Sequence, residues 1–143
     1  MTTNATFAGA VRKFWNSLKG RHRSGKYGPI LIEREQFEAW LKGKSTAGLT
    51  WKCEYTGNVV QLMAKTQAGR LTIDHRVPLA QGGTTTLDNL AVCSEEANKI
   101  KGDMSIGAYG RLMRCLATEL EGDRMSVLKR LKGWEPIYKR RGR

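Results

Sequence analysis

Apolar residues recur at helical spacing through Phe7, Val11, Phe14 and Leu18, which predicts a first helix ended by Gly20. Arg21 to Pro29 then reads as a basic loop. Glu33 to Leu41 carries Phe37, Trp40 and Leu41 on one side and predicts a second short helix, followed by a polar connector from Gly43 to Gly48. Beyond it the pattern turns extended. Trp51 to Tyr55 and Val59 to Ala64 are separated by Thr56-Gly57-Asn58, a turn signal. Another turn, Thr66 to Gly69, leads into Leu71 to Val77, where β-branched residues and the stop at Pro78 predict a strand. Gln81 to Asp88 is a Gly/Thr-rich loop, and Asn89 to Cys93 fits a returning strand. Ser94 suits an N-cap, Glu95 and Glu96 suit a first helical turn, and Gly102 suits the helix end. Ile106, Tyr109, Leu112, Met113, Leu116 and Leu120 predict a longer helix, and Met125 to Leu131 a last helical piece. There are no internal repeats, and the aromatic and Met residues in the helices read as core. The expected class is α+β, organised as one compact domain. Residues 1–50 form a basic helical segment packing on the core, 51–104 hold a ββα unit, and 105–143 add C-terminal helices and a basic tail.

A chain of 143 residues, 40% apolar, suits one domain with a modest core. No apolar run approaches a membrane span. The start, Met1 to Ala5, has neither a basic leader nor a long apolar stretch, so the expected compartment is the cytoplasm, or wherever a partner nucleic acid lies. Cys53, Cys93 and Cys115 are an odd set that argues against a disulfide framework, with Cys115 reading as an inert core residue. Charge changes the picture more. Twenty-five Lys and Arg against thirteen Asp and Glu leave a net +12, and the excess is clustered. Arg12, Lys13, Lys19, Arg21, Arg23 and Lys26 form one block without an acid. Lys129, Arg130, Lys132, Lys139, Arg140, Arg141 and Arg143 form another, opposed by Glu135. Two single-sign blocks around a balanced centre fit a phosphate backbone, and neither is attached to a lipid-facing helix, so the expected partner is nucleic acid, with double-stranded DNA the first candidate, rather than a membrane. Arg12, Lys13, Arg21, Arg23, Lys26, Arg140 and Arg141 are the expected contacts from these blocks, with Arg76, Lys99 and Lys101 from the centre.

The centre carries the chemistry. Asp74-His75 is followed fourteen residues later by Asn89 and nine later again by Asn98, then Lys101-Gly102. Alone, an Asp-His pair, a turn Asn or a helix-end Lys-Gly means little; their conjunction points to a one-metal nuclease. A hairpin would supply Asp74 and His75, and the following helix would lay Asn98 across it, with Lys101 on the same helix face. The Asp74 carboxylate and Asn98 amide are hard oxygen donors suited to Mg²⁺, with Mn²⁺ an acceptable substitute. Zinc lacks its usual His and Cys set there. His75, with an ordinary imidazole pKa near ~6.5, is the expected general base. The chain has two histidines; the other, His22, lies among basic residues and reads as a phosphate contact or a solvated side chain.

Asp74-His75-Arg76-Val77-Pro78-Leu79, Gly82-Gly83, Asn89-Leu90 and Asn98 to Asp103 resemble the HNH endonuclease motif, over roughly a fifth of the chain and loosely back to the Cys53–Gly57 turn. The resemblance implies a ββα-metal (His-Me finger) fold and Mg²⁺-dependent phosphodiester cleavage leaving 3′-hydroxyl and 5′-phosphate ends. It assigns His75 as base, Asp74 and Asn98 as metal ligands, and Asn89 as a brace of the loop that positions the base. Asn98 stands where many members have a final His, which makes this the His-Asn-Asn variety. Many members also bind a structural zinc through two Cys-x-x-Cys pairs. Here those places hold Cys53 with Thr56 and Ser94 with Ala97, Cys93 being out of register, so no structural zinc is expected. Small free-standing proteins of this kind resemble phage or mobile-element nucleases, homing enzymes among them, with restriction and DNA packaging as further roles. A single site of this type nicks one strand. A non-catalytic nucleic-acid-binding protein and a ribonuclease are the alternatives. The sequence leaves the oligomeric state open.

Overall fold

A computed structural model describes residues 6–104 and 106–119. The expected helix at 125–131 and the basic tail with Arg140 and Arg141 lie outside the described residues, as does the side chain of Cys115.

Helix α1 spans Phe7–His22, with the Thr6 hydroxyl accepting the Gly9 N–H at its start, and buries Val11, Phe14 and Leu18. It runs past Gly20, which corrects the expected end. An interior glycine costs only about 1 kcal/mol relative to Ala, and the buried stripe below it is enough to carry the helix on. The loop is shaped instead by Gly25 and Gly28, both at positive φ. Helix α2, Arg34–Lys44, starts where the Glu33 N–H donates to Gln36 Oε1 at 2.8 Å, and buries Phe37 and Leu41. It is longer than the apolar pattern suggested, and the expected connector holds a short strand.

That strand, β1 (Ser45–Ala47), pairs antiparallel with β2 (Thr50–Lys52), which pairs antiparallel with β3 (Val59–Gln61). Trp51 of β2 is fully buried and its indole N–H donates to the Leu41 carbonyl at 2.9 Å, tying this sheet to α2. A second sheet pairs β4 (Leu71–His75) antiparallel with β5 (Leu90–Ser94), placing Asp74 opposite Ala91 and His75 opposite Leu90. Helix α3, Glu95–Lys101, follows at once. Ser94 accepts the Ala97 N–H at 3.0 Å, and Gly102 ends the helix at φ 52°. Helix α4 spans Ile106–Glu119. The architecture is α+β, and β4, β5 and α3 form its ββα unit.

One apolar cluster serves all of these parts. Phe14 and Leu18 of α1, Phe37 and Leu41 of α2, Trp51, Leu71, Leu90, Val92, Ala97 and Tyr109 belong to it. The N-terminal helices therefore cover the ββα unit. Among the described residues no helix is long and apolar enough to cross a membrane.

Candidate active site

Asp74 and His75 close strand β4, and Asn98 lies on α3, which packs against it. All three line one cleft of about 260 Å³, together with Arg21, Tyr27 and Asp103. The Asp74 carboxylate is held on one oxygen. Tyr55 donates its hydroxyl to Oδ2 at 2.6 Å, and Lys101 Nζ lies 3.0 Å from the same atom. Burial, then the neighbouring Asp74 charge, push the Tyr55 phenol far above its ordinary range, so it stays a donor. Among the described residues, Oδ1 accepts no hydrogen bond.

Lys101 is fully buried and also donates to the His75 carbonyl at 3.0 Å. Its expected role as a surface contact for DNA is corrected on that ground. The ammonium would leave an uncompensated carboxylate behind if it turned outward. It ties α3 to the end of β4.

His75 is 6% exposed. Its imidazole pKa is lowered to about 4, first by burial and then by Arg21, by His22 when that ring is charged, and by Lys101. The ring is therefore neutral throughout the physiological range. Its Nε2 lies 2.8 Å from the hydroxyl of Thr85, a residue fully out of solvent. His22 reaches the same hydroxyl, at 2.6 Å from its own Nε2, with Nδ1 2.9 Å from the Gly28 carbonyl. This corrects the reading of His22 as a phosphate contact or solvated side chain. The extension of α1 beyond Gly20 places it against the β4–β5 loop.

That loop is closed by Asn89. Its Oδ1 accepts the Val77 N–H at 2.9 Å, and its Nδ2 donates to the carbonyls of Val77 (3.1 Å) and Thr84 (2.7 Å). Gly83 N–H donates to the Pro78 carbonyl, and a Cβ at Gly83 would fall 1.9 Å from the Val77 carbonyl oxygen. Only glycine fits that close approach.

The expected DNA contacts divide. Arg12, Lys13, Arg21, Arg23, Lys26 and Lys99 are exposed. Arg76 is paired with Glu54, which also accepts the Val92 N–H at 2.8 Å and lies 3.6 Å from Lys44. The guanidinium thus joins the end of β4 to the Cys53–Gly57 turn while its side chain stays 29% exposed. At the places where the resemblance puts zinc ligands, Cys53 Sγ accepts the N–H groups of Thr56 (3.4 Å) and Ser94 (3.3 Å). Burial pushes the Cys93 thiol well up, keeping it protonated.

The donor set fits one hard divalent cation. Asp74 Oδ1 and the Asn98 amide oxygen are the two oxygen donors of the cleft that sequence reasoning singled out, and no cluster of three His, Cys, Asp or Glu exists among the described residues. Sequence reasoning missed Tyr55 and Thr85 and misjudged His22. Tyr55 lies within the Cys53–Gly57 turn that the motif touches; Thr85, in the run Thr84-Thr85-Thr86, carries no local signal.

No curated protein and no solved structure matches the chain. Residues 53–103 match the family model of the HNH endonucleases. That span contains Asp74, His75, Asn89, Asn98 and the ββα unit, so this part of the chain is similar to an HNH endonuclease domain.

Proposed function

We propose that this protein is a divalent-metal-dependent DNA endonuclease that cuts one strand per site. The observation that carries the reading is the convergence of Asp74, His75 and Asn98 in one cleft whose rim includes the exposed Arg21. The neutral His75 imidazole takes a proton from water. The water oxygen bonds to phosphorus as the bond from phosphorus to the 3′ oxygen breaks, leaving a 5′-phosphate and, once that oxygen is protonated, a 3′-hydroxyl. Asp74 Oδ1 and the Asn98 amide oxygen would hold Mg²⁺ or Mn²⁺. When bound, the ion supplies Lewis-acid stabilisation of charge on the phosphate and the leaving oxygen. Tyr55 and Lys101 fix the Asp74 carboxylate, and Asn89 braces the loop behind His75. Arg21 offers a guanidinium to the phosphate within the cleft, while Arg12, Lys13, Arg23, Lys26 and Lys99 hold the flanking backbone.

The test is nicking of supercoiled plasmid with Mg²⁺, by wild-type protein and by His75→Ala. Loss of the base should slow cleavage by about 10²–10⁴-fold with plasmid binding retained. Tight binding with no cleavage by folded wild-type protein, across Mg²⁺, Mn²⁺ and other divalent ions, would establish a non-catalytic binder instead. Cleavage confined to RNA would move the substrate assignment.

A further inference from the structure

The Thr85 hydroxyl has one proton, and two imidazole nitrogens lie within hydrogen-bonding distance of its oxygen: His22 Nε2 at 2.6 Å and His75 Nε2 at 2.8 Å. The direction of each bond can be worked out from the far end. His22 Nδ1 lies 2.9 Å from the Gly28 carbonyl, which can only accept, so Nδ1 carries the proton. A neutral His22 then has a bare Nε2. That nitrogen must accept, so Thr85 donates its proton to His22. With its proton spent there, the Thr85 oxygen has only lone pairs left for His75. His75 Nε2 therefore carries a hydrogen, and His75 Nδ1 is bare.

We propose that His22 and Thr85 are positioning residues that set the tautomer of His75, so that Nδ1 is the nitrogen that takes the proton from water. The role of His75 as base rests on the nuclease reading; the proton order along the chain does not. Thr85 is fully buried, so solvent does not compete for its hydroxyl. Its own carbonyl accepts the Leu31 N–H at 3.3 Å, and its neighbour Thr84 is held by Asn89. Gly28, at φ 73°, turns its carbonyl back toward α1. The arrangement also survives the reaction: when His75 gains a proton at Nδ1, its Nε2–H continues to donate to Thr85 and no hydroxyl has to reverse. Removing the His22 acceptor has the opposite effect. Thr85 would be free to donate to His75 Nε2, which stabilises the tautomer whose Nδ1 is already protonated and cannot act as base. Since His22 lies outside residues 53–103, the N-terminal segment completes the base of the domain.

The proton order is read directly from long-range proton–nitrogen spectra of the metal-free, full-length protein with ¹⁵N-labelled imidazoles. With two histidines, two ring systems appear. At pH 8, above the ordinary imidazole range near ~6.5, His22 should be the Nδ1–H tautomer and His75 the Nε2–H tautomer. His22 as Nε2–H, or His75 as Nδ1–H, overturns the proposal. In plasmid nicking, Thr85→Val and His22→Phe should lower kcat by roughly 10–100-fold, the usual scale for groups that orient a reactive one, with KM for plasmid unchanged. Thr85→Ser should restore the rate. An unchanged kcat in folded Thr85→Val, or Thr85→Ser no better than Thr85→Val, also overturns it. If wild-type protein cuts nothing, the nuclease reading fails and the spectra still decide the tautomers.

Discussion

Replacing Lys101 by Met removes a fully buried charge 3.0 Å from Asp74 Oδ2 and a donor 3.0 Å from the His75 carbonyl. Methionine fills a similar volume, so the loss is electrostatic rather than a cavity. Stripping one partner from a buried ion pair costs about 3–5 kcal/mol. Here Asp74 keeps the Tyr55 hydroxyl, and its side chain is 11% exposed, which lets the cleft water screen it. About 2–3 kcal/mol is the expected loss for the pair, with up to about 1 kcal/mol more for the orphaned carbonyl. Urea unfolding in chelator reads this. With a slope of about 2 kcal/mol per molar, the midpoint should fall by roughly 1–2 M. The double variant Asp74→Asn/Lys101→Met has no charge left to strand and should recover at least half of the loss. Mg²⁺ should raise the midpoint of Lys101→Met more than that of the wild type, because the ion takes over the missing counter-charge. A single-variant cost below about 1 kcal/mol, or strictly additive costs in the double variant, would refute the idea that Lys101 holds the Asp74 carboxylate.

Acidification of the metal-free protein should reveal the buried neutral His75. Its folded pKa of about 4 lies below the unfolded value near ~6.5, so its contribution is fully present above pH 6.5 and is lost as pH falls toward 4, by up to about 3 kcal/mol. The difference between wild type and His75→Asn in urea titrations from pH 7 to pH 4 isolates it, and parallel curves would count against the burial. In DNA binding, Arg23→Ala and Lys26→Ala should each lower the slope of log affinity against log salt by about 0.9 on duplex; an unchanged slope makes them bystanders. Gly83→Ala forces a methyl to within 1.9 Å of the Val77 carbonyl unless the loop opens. It should lose nicking by at least tenfold, and full activity would mean that the loop does not position His75.

The residues legible in the sequence are those whose signals are local. Ser94 and Gly102 bracket α3 because a side-chain cap and a positive-φ glycine end are decided within one turn. The β-branched run and Pro78 placed β4, so Asp74 and His75 could be assigned to its end. Lys101 shows where that logic stops. Its spacing from Asn98 gave the correct helix face, but a lysine in a last helical turn looks the same in sequence whether it meets solvent or an aspartate 27 positions earlier. His22 and Thr85 are 63 positions apart, and nothing in either neighbourhood announces the other. Gly20 misled for the converse reason: its local cost was real, and the packing of Phe14 and Leu18 exceeded it.

The N-terminal helices solve two problems at once. A unit of the size of residues 53–103 buries too little apolar surface to be comfortable alone, and such small units ordinarily lean on a metal, a disulfide or a neighbour. Within it, Cys53 Sγ gathers the backbone N–H groups of Thr56 and Ser94. Those bonds hold the turn against α3 but add little apolar burial. The missing burial comes from α1 and α2, through Phe14, Leu18, Phe37 and Leu41. The helix that covers the core is also the one that ends at His22, bringing Arg21 to the cleft and an imidazole to Thr85. Stability and catalytic geometry therefore share an element. A fragment beginning near Cys53 would lack the partner of Thr85 as well as part of its core, so restoring its stability by other means would still leave His75 without its fixed tautomer.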